Sequence, residues 1–165
     1  MANSNIGIFQ AIDMAMEAEK KARQFYLDAV NVVANERGKN LLKQLADFEQ
    51  NHYDKLDELK QSLQTDNKFV EYKGTEFQPV TSEMKAEISG KIEPNKDDAL
   101  NVLTLAIQAE DKASEHYQRM AEMTDDELGK DMFLRLSKEE NLHSRILNDE
   151  FYQLSNQGGV WSWGD

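Results

Sequence analysis

The stretch Phe48-Glu49-Gln50-Asn51-His52 places a carboxylate and an imidazole three residues apart. Leucines recur at helical spacing on both sides of this pair, at Leu41, Leu45, Leu56 and Leu59. The pair therefore lies in the row of a helix that should face a protein core. A buried carboxylate is costly unless it is paired, hydrogen-bonded or bound to a metal, and imidazole is the commonest side-chain ligand of transition metals. We therefore expect the rest of a metal site elsewhere in the chain.

The same pattern occurs a second time, and the two copies are in register. Four pairs of matching residues are each separated by 91 positions (110 minus 19 in the first case): Glu19 and Glu110, Tyr26 and Tyr117, Glu49 and Glu140, and His52 and His143. Ordinary positions repeat at the same offset, such as Gly38 with Gly129 and Leu45 with Leu136. A gapless match of this length indicates an internal duplication.

The composition predicts an all-α protein. The 165 residues suit one domain with its own core, only two of them are proline, and helix-forming residues are plentiful. The periodicity predicts four helices, at about 5–34, 35–65, 94–123 and 124–156. Asn35 is the expected N-cap of the second helix, and Thr124 with Glu127 forms a capping-box pattern before the fourth.

Two segments lie outside these helices. Residues 66–93 have no sustained helical period and contain Gly74, Pro79 and Gly90, so we expect a long connection with one short helix around 82–88. Residues 157–165 contain Trp161 and Trp163, and we expect this tail to dock on the surface as an aromatic clasp. The predicted single domain comprises a hairpin at 5–65, a crossover at 66–93, a hairpin at 94–156 and the tail at 157–165.

The positions of the acidic residues fit two antiparallel helix hairpins. In such a hairpin, residues equidistant from the turn lie at the same height. Glu19 and Glu49 are equidistant from residue 34, and Glu110 and Glu140 from residue 125, where capping signals place the turns. Pairing the hairpins about a pseudo-twofold axis would bring four glutamates and two histidines together. Helices two and three would then run parallel, which requires the long crossover.

The charge of the chain and its lack of cysteine limit the function classes. Thirty-one acidic and nineteen basic residues give a net charge of −12, so nucleic acid and anionic membrane surfaces are poor partners. The absence of cysteine excludes disulfides and iron–sulfur centres within these residues, so a metal would be held by oxygen and nitrogen atoms. With no signal-peptide pattern and no apolar run of about 20 residues, we expect a cytoplasmic protein.

The combination of side chains favours particular metals. Four buried glutamates with two neutral histidines would carry four negative charges, which an apolar core does not tolerate, and two divalent cations would cancel that charge. An oxygen-rich site with one imidazole per metal suits iron or manganese better than zinc, calcium or magnesium. One glutamate on each of two helices and a Glu-x-x-His on each of the other two is the pattern of di-iron and di-manganese carboxylate bundles.

These residues resemble a known family. The run Glu19-Lys20-Lys21-Ala22 with Tyr26, its copy Glu110-Asp111-Lys112-Ala113 with Tyr117, and the two Glu-x-x-His pairs are similar to the di-iron domain of rubrerythrins. The resemblance covers about residues 8–152. It implies a ferritin-like four-helix bundle, built from two antiparallel helix hairpins that a long crossover joins.

The resemblance also implies a role for each residue of the site. Two iron ions, with manganese as the alternative, would be held by six ligands: Glu19, Glu49, His52, Glu110, Glu140 and His143. Glu49 and Glu140 would bridge the metals, and each metal would have one further glutamate and one histidine. Tyr26 and Tyr117 are the candidate catalytic residues, as hydrogen-bonding groups behind the ligands.

Two features differ from typical rubrerythrins. The family carries a rubredoxin module with four cysteines, and this sequence has no cysteine, so electrons would come from a separate donor protein such as a rubredoxin. Ala113 stands where rubrerythrins place a further glutamate, which leaves a symmetric six-ligand set closer to bacterioferritin-type sites.

The resemblance implies an oxidoreductase that reduces hydrogen peroxide, with two ferrous ions giving one electron each. Two alternatives stay open: a ferroxidase that uses dioxygen and passes iron to a store, and a bundle that binds metal without turnover. We expect a homodimer. A single Glu-x-x-His is more often a solvated surface pair, but the duplicated pattern argues against that interpretation. His116 is rotated away from the apolar stripe, so we expect it at the surface.

Overall fold

Four long helices account for most of the chain. The computed structural model describes residues 2–76, 92–156 and 158–163. Its helices are α1 (Ala2–Ala29), α2 (Glu36–Thr65), α3 (Lys96–Glu122) and α4 (Glu127–Asn156). Within the described ranges there is no strand, only an isolated antiparallel bridge between Ile92 and Val160. The predicted all-α four-helix fold is confirmed.

The helices form two hairpins around a core that is split into two apolar layers. One layer takes residues from the start of α1 and the end of α2, such as Ile12 and Leu59, together with the end of α3 and the start of α4. The other layer takes the opposite ends of the same helices, including Leu41 and Leu103. Late residues of α2 and α3 therefore share a layer, so these two helices run parallel, as the crossover requires.

The turn between α1 and α2 begins earlier than predicted, but it ends at the predicted cap, Asn35. Asn35 caps α2, because its side chain accepts a hydrogen bond from the Arg37 backbone N–H at 2.9 Å. However, α1 ends at Ala29 rather than near residue 34. The backbone N–H groups of Ala34 and Asn35 donate to the buried carboxylate of Glu93, at 3.1 and 3.0 Å, instead of continuing the helix.

The start of α4 is also capped differently from the prediction. The Gly129 backbone N–H donates to the Asp126 side chain at 3.0 Å, and the Asp126 N–H donates to the Thr124 hydroxyl at 3.2 Å. Asp126 is thus the residue that caps the helix, and the capping-box prediction for Thr124 and Glu127 is wrong. The Asp126 carboxylate binds the third N–H of the helix, which is the interaction that the box assigned to Thr124.

One residue of the C-terminal tail, Trp161, is part of the core. Trp161 is completely buried and donates from Nε1 to Glu93 at 3.3 Å, so the prediction of surface docking is wrong for this residue. Its ring lies on Gly38, where a Cβ atom would come within 2.5 Å of Trp161 Cε2. The repeat-related Gly129 lies under Phe69 of the crossover in the same way, with a Cβ at 2.7 Å. Each glycine of this pair therefore admits an aromatic ring from a non-helical segment.

Two further predictions concern a short helix in the crossover and the absence of a membrane-spanning segment. The short helix predicted at 82–88 lies in residues 77–91, which are outside the described ranges. None of the described helices has the length and apolarity that crossing a lipid bilayer requires.

Candidate metal centre

A polar layer separates the two apolar layers of the bundle. It contains one glutamate from α1, one from α3, and a glutamate and a histidine from each of α2 and α4. All six are at most 2% exposed: Glu19, Glu49, His52, Glu110, Glu140 and His143. The structure therefore brings together all six residues that the sequence predicted as ligands.

The six side chains form two overlapping groups, each with the composition of a metal site. The first group is Glu19, Glu49, His52 and Glu140, and the second is Glu49, Glu110, Glu140 and His143. Within each group the potential ligand atoms lie within 4.8 Å of one another. Glu49 and Glu140 occur in both groups, so they occupy the positions from which a carboxylate can bridge two ions.

Both imidazoles turn Nδ1 toward the carboxylates. His52 Nδ1 lies 2.7 Å from Glu140 Oε1 and 3.3 Å from Glu19 Oε1. His143 Nδ1 lies 3.5 Å from Glu110 Oε2 and 3.6 Å from Glu49 Oε1. The two rings are nearly parallel, with centroids 6.1 Å apart. Each histidine would therefore offer one nitrogen ligand to a metal held by its own group of carboxylates.

The charges of this layer oppose one another in the absence of a cation. Burial, followed by the charges of neighbouring glutamates, raises the pKa of Glu49 and of Glu140 well above the usual value. Burial would also raise the pKa of Glu110, but its hydrogen bond with Glu140 and the charge of His143 lower it to about 2. Four carboxylates so close together cannot all ionise without a compensating positive charge.

The donor set fits a pair of divalent ions. Glu19 Oε2, Glu49 Oε1 and Glu110 Oε2 are buried and have no hydrogen-bond partner among the described residues. A buried carboxylate oxygen without a partner costs free energy that a metal–oxygen bond would recover. Oxygen-rich sites with one imidazole per metal suit iron or manganese, and the donor set here fits either.

Tyr26 and Tyr117 connect the two hairpins at the metal centre. The Tyr26 hydroxyl on α1 donates to Glu110 Oε1 on α3, and the Tyr117 hydroxyl on α3 donates to Glu19 Oε1 on α1, both at 2.6 Å. Burial and the adjacent glutamate charge raise the pKa of both tyrosines well above the usual value, so both stay protonated donors. Sequence spacing suggested hydrogen bonding but did not show that each tyrosine reaches the opposite hairpin.

Glu139 is a functional candidate that the sequence analysis missed. His52 Nε2 lies 2.8 Å from Glu139 Oε1, and because a carboxylate only accepts, the imidazole donates there. Glu139 also accepts hydrogen bonds from the Tyr72 hydroxyl and, at 2.8 Å, from the Thr75 backbone N–H of the crossover. Burial alone would raise the pKa of Glu139. The hydrogen bond from His52 and the positive charge of His52 lower this pKa below its usual value. If a metal replaced the proton on Nδ1, this contact would keep the remaining ring proton on Nε2.

The other half of the site has a different residue at the equivalent position. Phe48 is related to Glu139 by the repeat offset (139 minus 91), and its ring stands nearly perpendicular to His143 with centroids 4.5 Å apart. A phenyl ring cannot accept a hydrogen bond as a carboxylate does. The two histidines therefore have unequal surroundings, and the sequence signal for this was the mismatch of Phe48 and Glu139 within the repeat.

A cavity between α1 and α3 leads to the polar layer. Its volume is about 650 Å³, and Glu19, Glu49, Glu110 and Glu140 are among the residues that line it. Much of its wall consists of alanines in repeat-related pairs: Ala15 with Ala106, Ala18 with Ala109, and Ala22 with Ala113. His116 also lines this cavity. It is half-buried rather than fully exposed, and it donates from Nε2 to the Ala11 carbonyl at 3.0 Å.

Comparisons with known proteins agree with the resemblance. The rubrerythrin family model matches residues 101–159, which contain Glu110, Glu140 and His143, and the recognition of a rubrerythrin-like chain is confirmed. A solved structure described as a hypothetical protein from Pyrococcus furiosus is 27% identical, has a TM-score of 0.71, and is matched over 91% of each chain. No curated protein matches the sequence significantly.

Proposed function

We propose that this rubrerythrin-like bundle is a di-iron oxidoreductase that reduces hydrogen peroxide to water with electrons from a separate donor protein. The family match and the buried carboxylate and histidine cluster support a di-iron ferritin-like protein. Manganese is the alternative metal.

One observation carries the proposal: two four-residue groups that share Glu49 and Glu140. Glu49 and Glu140 would be shared by the two metals, and Glu19 with His52 and Glu110 with His143 would complete the ligands of one metal each. Each histidine would offer Nδ1, the atom that faces the carboxylates. The ligand set is symmetric, so both ions are held by the same kinds of atoms.

The protein's own groups position the ligands and control access. Two ferrous ions bound here would supply one electron each and act as Lewis acids toward the peroxide oxygens. Tyr26 and Tyr117 hold Glu110 and Glu19 across the hairpin interface. The apolar layers above and below exclude water from the centre. The cavity between α1 and α3 gives an oxidant a path to the layer.

A rapid-mixing experiment tests the choice of oxidant. Anaerobic protein loaded with two ferrous ions per chain is mixed with either hydrogen peroxide or dissolved oxygen at equal concentration, and oxidation is followed by absorbance. We expect oxidation by peroxide to be at least about tenfold faster, corresponding to about 1.4 kcal/mol in barrier height. Faster oxidation by oxygen would contradict the proposal and favour the ferroxidase alternative. Absence of oxidation by either would favour metal binding without turnover.

Matched variants separate the site from general effects of charge. Glu49→Ala removes a bridging ligand and should abolish rapid oxidation. Glu115→Ala removes an exposed carboxylate from α3 and should leave the rate unchanged.

Two further measurements test the electron donor and the assembly. Reduced rubredoxin should restore the ferrous state after each turnover. Sedimentation tests the expected homodimer, whereas a hollow cage of many subunits would favour iron storage.

A further inference from the structure

We propose that the cavity between α1 and α3 binds organic hydroperoxides that have an apolar body and a carboxylate, such as lipid hydroperoxides. The reduction of this substrate rests on the proposed function. The binding of the corresponding hydroxy acid does not, since it depends only on the cavity.

The size of the cavity exceeds what hydrogen peroxide requires. Its volume of about 650 Å³ lies within the roughly 300–1,000 Å³ range of pockets for small organic molecules. A water molecule takes up about 30 Å³ of liquid, and hydrogen peroxide has only one oxygen atom more. Larger side chains on α1 and α3 would fill this cavity, but both helices have alanine at several of the positions that line it. The space is therefore available to a much larger molecule.

The walls and the mouth differ in chemistry. Apolar side chains that include Met14, Phe25 and Leu105 join the paired alanines in lining the cavity. Among the described residues outside the metal centre, the charged ones that line it are all cationic: Lys21, Lys112 and Arg119. This is unusual in a chain with a net charge of −12. The apolar walls suit a hydrocarbon body, and the cations suit a carboxylate.

The cations are available for such an interaction. Lys21 and Lys112 are exposed, are related by the repeat, and form no ion pair with any residue in the part of the chain that the structure describes. The exposed Ala18 and Ala109 precede the buried Glu19 and Glu110 in the sequence. Each of these two glutamates has one oxygen without a hydrogen-bond partner among the described residues. An apolar chain can therefore extend from the cationic mouth to the proposed metals.

The reaction balances with the reductant already proposed. A hydroperoxide ROOH takes up two electrons and two protons to give the alcohol ROH and one water molecule. The O–O bond breaks, the oxygen on carbon keeps its bond to carbon and gains a proton, and the terminal oxygen leaves as water. The two electrons come from the ferrous pair and are replaced by the separate donor protein.

The first experiment measures binding without turnover. The hydroxy acid derived from linoleic acid hydroperoxide is titrated, below its micellar concentration, into metal-free protein and into anaerobic diferrous protein, and heat is recorded. We expect saturable binding of one molecule per chain. The Ala18→Leu/Ala109→Leu double variant should weaken this binding at least about tenfold, because the added side chains fill the mouth. Gln108→Leu, at an exposed position of α3 that does not line the cavity, is the control.

A second pair of variants tests the role of the cations. Lys21→Met/Lys112→Met should weaken binding of the hydroxy acid roughly three- to tenfold, as expected for two exposed ion pairs. Binding of its methyl ester should change less than about twofold by the same argument. Lys43→Met, on the exposed side of α2, is the control. Equal weakening of the acid and the ester would overturn the assignment of the mouth to a carboxylate.

Turnover then separates this inference from the proposed function. Diferrous wild type should be oxidised by linoleic acid hydroperoxide as well as by hydrogen peroxide. The double leucine variant should slow the reaction with linoleic acid hydroperoxide far more than the reaction with the much smaller hydrogen peroxide. If hydrogen peroxide reacts but the hydroxy acid does not bind, the inference is wrong and the proposed function stands. If neither peroxide reacts but the hydroxy acid binds as described, the proposed function is wrong and the assignment of the cavity stands. A different result would be a wild-type dimer that does not bind the acid, with the double leucine variant a monomer. That result would show that a second copy of the chain covers the cavity, and it would overturn the inference.

Discussion

Glu139 distinguishes the two otherwise equivalent halves of the metal centre. It accepts the Nε2 proton of His52 at 2.8 Å, whereas Phe48 occupies the repeat-related position beside His143. A carboxylate that accepts this proton makes the opposite nitrogen a stronger ligand and fixes its direction. Glu139 should therefore strengthen metal binding at the His52 site.

Glu139→Gln tests this difference. The change keeps the size of the side chain but weakens the acceptor, so one of the two metal affinities should fall about 10- to 100-fold while the other stays nearly constant. Titration of anaerobic protein with ferrous ion, followed by Mössbauer spectroscopy of partly loaded samples, resolves the two sites. Glu115→Gln is the surface control. An equal loss at both sites would contradict the special role of Glu139.

The raised pKa values of Glu49 and Glu140 predict a specific pH dependence of stability. Both groups hold a proton more tightly in the folded metal-free protein than in the unfolded chain. Their contribution to stability is therefore complete below about pH 4.3, the unfolded value, and is lost as the pH rises through their folded pKa values.

Thermal unfolding of the metal-free protein from about pH 5 to about pH 8 measures this contribution. The wild type should lose more stability over this interval than the Glu49→Gln/Glu140→Gln variant, in which the two groups no longer titrate. Parallel curves for the two proteins would show that the carboxylates are not under the strain that their burial implies. Addition of a divalent ion should flatten the wild-type curve.

At the scale of elements, a repeated glycine allows two irregular segments to pack on the bundle. Trp161 covers Gly38 on α2, and Phe69 covers Gly129 on α4. A Cβ atom at either position would approach the ring within 2.7 Å or less. The crossover and the tail thus use the same device at related points of the two hairpins.

Gly38→Ala should destabilise the protein by about 1–3 kcal/mol, because the added methyl group displaces a buried indole ring. Gly7→Ala is the matched control on α1, where the nearest atom is the end of the flexible Met123 side chain at 3.4 Å. There the change should be neutral or stabilise the helix by up to about 1 kcal/mol. Urea unfolding of both variants measures the difference, and equal effects would be evidence against close packing of Trp161.

Helix periodicity and the 91-residue repeat predicted the helices, their pairing and the residues that meet in the polar layer. These features depend on spacing along single helices, which a sequence displays directly. The partners across the hairpin interface were not predictable in this way, because spacing does not say that Tyr26 bonds to Glu110 rather than to its own hairpin. The burial of Trp161 and the hydrogen bonds of Glu93 depend on irregular segments, whose path has no period.

At the scale of the whole molecule, the bundle consists of two apolar layers that enclose one polar layer. The apolar layers stabilise the fold by burying hydrocarbon. The polar layer lowers the stability of the fold unless cations neutralise its charge. Metal binding should therefore raise the stability of the protein in proportion to the logarithm of free metal concentration above the dissociation constant. The centre would then be both the reactive site and a structural link between the hairpins.

The central claim is that six side chains hold two metal ions, and anaerobic titration with ferrous ion tests it most directly. Metal bound per chain is measured together with the Mössbauer spectrum of the product. The wild type should bind two ions that interact magnetically through shared carboxylates, and Glu49→Ala should lose that interaction and at least one ion. Binding of fewer than two ions by the wild type, or an unchanged pair in Glu49→Ala, would contradict the account.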